Sequence, residues 1–140
     1  MAVYTETFQV DASDFTRAGE ASGTVKKTLK SLGFAPDIVR RFSIAMYEAE
    51  INMVIHANGG SITVNISPEE LCAVCQDEGP GIPDINLAMQ EGWSTASAEV
   101  RGMGFGAGMG LPNIKKYTDY LDIQTAVGRG TRVTLKVSAK

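Results

Sequence analysis

Three polar residues stand at four-residue intervals in one apolar stretch: Glu48, Asn52 and His56, within Glu48-Ala-Glu-Ile-Asn52-Met-Val-Ile-His56. On a helix this spacing places them on one stripe. Burying an unpaired carboxylate is costly, so Glu48 needs a partner or a wet cavity. Two readings fit. In one, the stripe is the polar edge of an amphipathic helix, with Glu50 as one more member. In the other it does chemistry: Glu48 is a general base, and Asn52 offers an amide oxygen to Mg2+, which prefers oxygen donors and keeps several waters. His56 is the sole histidine of the chain. No Gly-x-Ser-x-Gly nucleophile motif accompanies it, so it reads as structural, with a phosphate contact as the lesser alternative.

A second constellation is Asp77-Glu-Gly79-Pro-Gly81-Ile82-Pro83. Glycines let backbone approach a flat ligand closely, and Asp77 can accept a hydrogen bond from an exocyclic amine such as that of adenine. Asp, Gly and Pro also build ordinary turns, so this motif alone does not decide.

The third is Gly102-Met-Gly104-Phe-Gly106-Ala-Gly108-Met109-Gly110-Leu111-Pro112-Asn-Ile-Lys-Lys. Alternating glycines expose backbone N–H groups, and the run leads into a helix start, where phosphates bind well. A flexible linker is the competing reading, although Met and Phe between the glycines suit it poorly. Gly102 to Ala107 formally fits the dinucleotide fingerprint, which must follow a buried strand; Trp93 to Arg101 is not one. A Walker loop needs Gly-Lys, and the chain has no such pair. Cys72-x-x-Cys75 supplies two of the four ligands of a structural zinc; within a strand its members point to opposite faces, and both read as core cysteines. Lys115 and Lys116 read as solvated, within reach of a phosphate from the first turn.

The elements that position these residues follow from periodicity and punctuation. Val3 to Val10 alternates as a strand. A helix is expected from about Phe15 to Leu32, weakened by Gly19 and Gly23 and closed by Gly33. Pro36 opens a second helix to about His56, apolar on most sides and therefore buried. Ser61–Ser67 and Leu71–Gln76 read as strands, Asp84–Met89 as a short helix, and 92–110 as a long loop, a length that tends to be functional. A helix from Leu111 to about Tyr117 and a hairpin of Tyr120–Val127 and Thr131–Val137 complete the chain. The implied fold is α+β: a two-layer α/β sandwich with a mixed, mostly antiparallel sheet and helices on one face.

The chain has 140 residues, 44% of them hydrophobic, 21% charged, with a net charge of −3. That is the size of one domain, and residues 1–140 read as one. The acidic balance argues against a general nucleic-acid or anionic-membrane surface. No apolar stretch has the length of a membrane span, and residues 1–10 have no secretory h-region, so a cytoplasmic location is expected.

Glu48-x-x-x-Asn52, Asp77-x-Gly79-x-Gly81 and the Gly102–Gly110 run, in this order, resemble the N-box and two glycine boxes of the GHKL ATPase superfamily, which includes gyrase, a heat-shock chaperone, histidine kinases and a mismatch-repair protein. Gly130-Thr131 resembles the Gly-Thr beside the adenine-binding Asp of that superfamily. The resemblance implies a Bergerat-type ATP-binding fold with ATP and Mg2+ as cofactors. Its catalytic base would be Glu48 and its metal ligand Asn52. Nucleotide contacts would come from Asn52, Asp77, Gly79, Gly81, Ile82, Gly104, Gly106, Gly108, Met109, Gly110, Leu111 and Thr131. Within the superfamily the chain is most similar to small bacterial anti-sigma factor serine/threonine kinases, through Glu48, Asn52 and His56 and through Gly92-Trp-Ser-Thr-Ala-Ser with Gly104 to Ile114. That implies phosphorylation of an antagonist protein in a partner-switching pathway, with a sigma factor as a further partner, and it allows a homodimer. The five alternating glycines also suit the catalytic domain of a sensor histidine kinase system. A nucleotide-sensing module without phosphotransfer is the remaining alternative. A partner-binding scaffold and a nicotinamide-dependent enzyme are rivals of other classes, to be separated by ATP-dependent thermal stability and by NADH titration.

Overall fold

The computed structural model describes residues 4–10, 19–56, 60–77, 110–126 and 130–139. Strands β1 (Tyr4–Val10), β2 (Gly60–Ile66), β3 (Glu70–Asp77), β4 (Tyr120–Ala126) and β5 (Gly130–Ser138) form one sheet in the order β1-β2-β3-β5-β4. Helices α1 (Glu20–Ser31), α2 (Pro36–His56) and α3 (Gly110–Tyr117) complete the described elements. The expected two-layer α+β architecture is present. The sequence predicts a mixed, mostly antiparallel sheet; among the described strands every pairing is antiparallel. The short β2–β3 and β4–β5 connections are the kind that join antiparallel neighbours.

Register sorts the strand residues onto two faces. Phe8, Ile62, Cys75, Val133 and Ile123 align across the sheet, as do Val64, Ala73, Leu135 and Leu121. These residues share one apolar cluster with Val25 and Leu29 of α1, Val39, Phe42, Met46 and Met53 of α2, and Ile114 of α3. The opposite face carries Thr5, Asn65, Cys72, Lys136 and Tyr120 in one row and Thr7, Thr63, Val74, Thr134 and Asp122 in the next. Alternation along each strand therefore creates one core face and one largely polar face.

Helix α2 matches the range expected from Pro36 and its apolar spacing. It packs on the sheet with α1 on one flank and α3 on the other, which accounts for its apolar character on most sides. Helix α1 differs from expectation. It opens at Glu20, not near Phe15, because Gly19 adopts a left-handed φ of 90° as its N-cap. The two cysteines also part company. Cys75 is buried, whereas Cys72 is half-buried on the polar face and is not a core residue. The helix expected at 84–89 and the loop at 92–109 lie outside the described residues.

Candidate functional site

Glu48 lies half-buried on α2, in the turn that also carries half-buried Asn52. The side chain of Asn113, in the first turn of α3, lies beside the Glu48 carboxylate. Burial pushes its proton affinity above the ordinary carboxylate range, and the Asn113 contact pulls it part of the way back. A carboxylate whose proton affinity is raised by burial is suited to accept a proton.

Asp77 closes β3. It continues the core-facing series Leu71, Ala73 and Cys75, so its carboxylate emerges on the helix side of the sheet end. Its Oδ1 accepts the backbone N–H of buried Thr131 at 3.2 Å. The Thr131 hydroxyl lies 2.9 Å from that of Thr125, which also donates to the Gly130 carbonyl at 3.2 Å. The start of β5 is thus bonded to the acid, and the Gly130-Thr131 pair sits beside it.

Gly60 joins the two groups. It pairs with Asp77 across β2 and β3. A Cβ built on it would come within 2.1 Å of the Gln76 carbonyl, 2.8 Å of Met53 Cε and 3.0 Å of Asp77 Cα. Only glycine leaves room for this approach, and its φ of 148° is also unfavourable for other residues. The turn of α2 around Asn52 and Met53 therefore meets the end of β3, and the Asn113 contact brings the start of α3 to the same place.

Of the expected site residues, the structure gathers Glu48, Asn52, Asp77, Thr131 and the helix start at Gly110 and Leu111 at one end of the fold. Gly79, Gly81, Ile82, Gly104, Gly106, Gly108 and Met109 lie outside the described residues, as does the His56 side chain. Two residues escape the sequence reading. Asn113 carries no local signal, since its role depends on α3 docking beside α2. Glu50, read as a member of a polar edge, is 3% exposed and caps α1. A buried carboxylate without a partner in its own helix, together with a helix start lacking a capping side chain, is the signal that could have paired it. Burial of the Cys75 thiol, with the charges of Glu50 and Asp77 nearby, pushes its pKa up to about 12. No described helix is long and apolar enough to cross a membrane.

The family described as Histidine kinase-, DNA gyrase B-, and HSP90-like ATPase matches residues 37–140. The chain is 30% identical over 112 residues to Serine/threonine-protein kinase RsbT of Bacillus subtilis (strain 168), covering 77% of this chain and 78% of that protein. It is 35% identical over 96 residues to the Anti-sigma F factor of Thermoanaerobacter sp. (strain X514), covering 65% of this chain and 64% of that relative. Among solved structures, the RsbU and RsbW domains of a Mycobacterium tuberculosis protein align with a TM-score of 0.60 at 16% identity, over 96% of this chain and 32% of that one. The mycobacterial sensor histidine kinase MprB aligns with a TM-score of 0.54 at 18% identity, over 98% and 99% of the two chains. These two likenesses speak to the fold.

Proposed function

Because the chain belongs to the histidine kinase-, DNA gyrase B- and HSP90-like ATPase family, we propose that it is a Mg-ATP-dependent serine/threonine kinase of the anti-sigma type, cytoplasmic, which phosphorylates an antagonist protein in a partner-switching pathway. The similarity to the kinase RsbT supports the reaction class. The observation that carries the chemistry is Glu48: a half-buried carboxylate with raised proton affinity, beside Asn113 at a helix start.

In this reading Asp77 accepts a hydrogen bond from the adenine amine while Thr131 N–H holds its Oδ1 in place. The backbone N–H groups at the start of α3 face the phosphates, as helix starts do. Asn52 fits a magnesium ligand on the chemistry of its donor, a half-buried amide oxygen one turn from Glu48. Magnesium, when bound, neutralises phosphate charge. Glu48 accepts the proton of the attacking serine or threonine hydroxyl as its oxygen bonds to the γ-phosphorus and the bond to ADP breaks. Positioning and electrostatics supply most of the rate in such transfers.

The test is a calorimetric titration with ATP and ADP, with and without Mg2+, on the wild type and Asp77→Asn. A transfer assay then uses antagonist-type proteins of the same genome as acceptors. Magnesium-dependent ATP binding weakened in Asp77→Asn, with acid-stable phosphoserine or phosphothreonine on the acceptor, is the expected result. No nucleotide binding by folded wild-type protein would refute the reading. Binding with no transfer to any acceptor would favour a nucleotide-sensing module instead.

A further inference from the structure

Glu50 is a buried carboxylate that the proposed phosphotransfer leaves unused. It sits on α2 between Glu48 and Asn52, two residues from each. Residues two apart on a helix are rotated by about 200°, so Glu50 points away from the side shared by Glu48 and Asn52. It points to α1. Helix α1 begins at Gly19, which has no side chain to cap it. The missing acceptor comes from Glu50: Gly19 N–H and Ala21 N–H donate to Oε2 at 3.1 and 3.2 Å, and Ser22 N–H donates to Oε1 at 3.0 Å. One carboxylate does the work of a cap and a capping box together, and it faces the positive end of the helix dipole. The junction is tightened by Tyr47, the residue before Glu48. A Cβ built on Gly19 would lie 2.9 Å from Tyr47 Cε1.

The same turn of α2 is therefore held on both flanks. Glu48 faces Asn113 of α3 on one side, and Glu50 bonds to the start of α1 on the other. We propose that Glu50 is a positioning residue of the ATP site: by clamping the start of α1 it fixes the rotation of α2 that presents Glu48 and Asn52. The proposal rests on reading Glu48 and Asn52 as the residues that handle the nucleotide. Glutamine cannot replace Glu50. Its amide oxygen can serve one side of the junction, but its NH2 group would then face backbone donors.

The test compares Glu50→Gln, Gly19→Ala and Leu29→Ala, with circular dichroism confirming that each is folded at the assay temperature. Gly19→Ala disturbs the junction from the α1 side, through its left-handed φ and the Tyr47 ring, without substituting a residue of α2. Leu29→Ala destabilises the same helix through the core, away from the junction. Glu50→Gln and Gly19→Ala are expected to lower kcat for phosphotransfer or ATP hydrolysis by about tenfold, with magnesium-free ADP affinity changed by less than about twofold. Leu29→Ala should leave kcat near wild type despite an equal or greater fall in Tm. If Glu50→Gln loses no more kcat than Leu29→Ala at matched Tm, the cap is structural only and the proposal fails. A second readout is independent of turnover. The Asn113 side-chain amide signals and the Glu48 titration, followed by NMR, should shift in Glu50→Gln and stay in place in Leu29→Ala; unmoved signals in Glu50→Gln would overturn the inference. An inactive wild type would count against the kinase reading and leave this second readout to decide the positioning role.

Discussion

At the residue scale, two glutamates two positions apart are given different roles by their surroundings. Glu50 accepts three backbone N–H bonds in the interior, whereas Glu48 is half-buried beside Asn113 with raised proton affinity. Environment assigns the roles, as in enzymes whose paired carboxylates diverge. Because the folded-state pKa of Glu48 is raised, folding favours its protonated form. Wild-type stability should therefore decline as pH rises from the ordinary carboxylate range through that raised value. Glu48→Gln should lack this decline, be at least as stable as wild type at pH 7, and bind ATP while losing transfer. Urea midpoints from pH 4 to 8 and a transfer assay check this. Transfer by the wild type should also fall on the acid side at a pH above the usual carboxylate range. At the sheet end, Asp77→Asn can keep its acceptor for Thr131 N–H and so should fold. It should lose adenine-nucleotide affinity by about 1–3 kcal/mol, read by calorimetry.

At the element scale, the constraint is the closeness of β2, β3 and α2 around Gly60. Gly60→Ala places a methyl group within 2.1 Å of the Gln76 carbonyl at a φ of 148°. Its expected cost is about 2 kcal/mol or more, read as a lower denaturation midpoint, with weaker nucleotide binding because Asp77 lies on the neighbouring strand. The alternation of β3 separates its two cysteines. Cys75, buried and pushed up to about 12, should resist iodoacetamide at pH 8 until the protein unfolds. Cys72, half-buried on the polar face, should be modified first, and peptide mass mapping distinguishes the two.

At the scale of the whole molecule, one apolar cluster joins the three described helices to the inner face of the sheet. Phe42 is fully buried within it on the middle helix. Phe42→Ala should cost about 3–5 kcal/mol, measured by urea unfolding, because the site residues share their helix with this core. The site is assembled where the ends of several elements meet, so its geometry depends on the packing of α2 between α1 and α3. A loss of packing on α2 itself, as in Phe42→Ala, should therefore reduce nucleotide affinity before secondary structure is lost.

The sequence by itself determined the element order, the limits of α2, the two-layer architecture and the family, because periodicity, capping residues and motif spacing are local properties of the chain. It also singled out Glu48 and Asn52, which share one motif, and Asp77 and Thr131, which belong to two others. It misjudged the start of α1 because residue type alone did not show that Gly19 would turn left-handed and cap a helix. It misjudged Glu50 and Cys72 because burial is set by which neighbours arrive, not by residue type. Tertiary structure alone decided that Asn113 meets Glu48, that Thr131 bonds Asp77 across 54 residues, and that a glutamate on one helix caps another. Such contacts form only when distant segments pack together, and no local spacing encodes them.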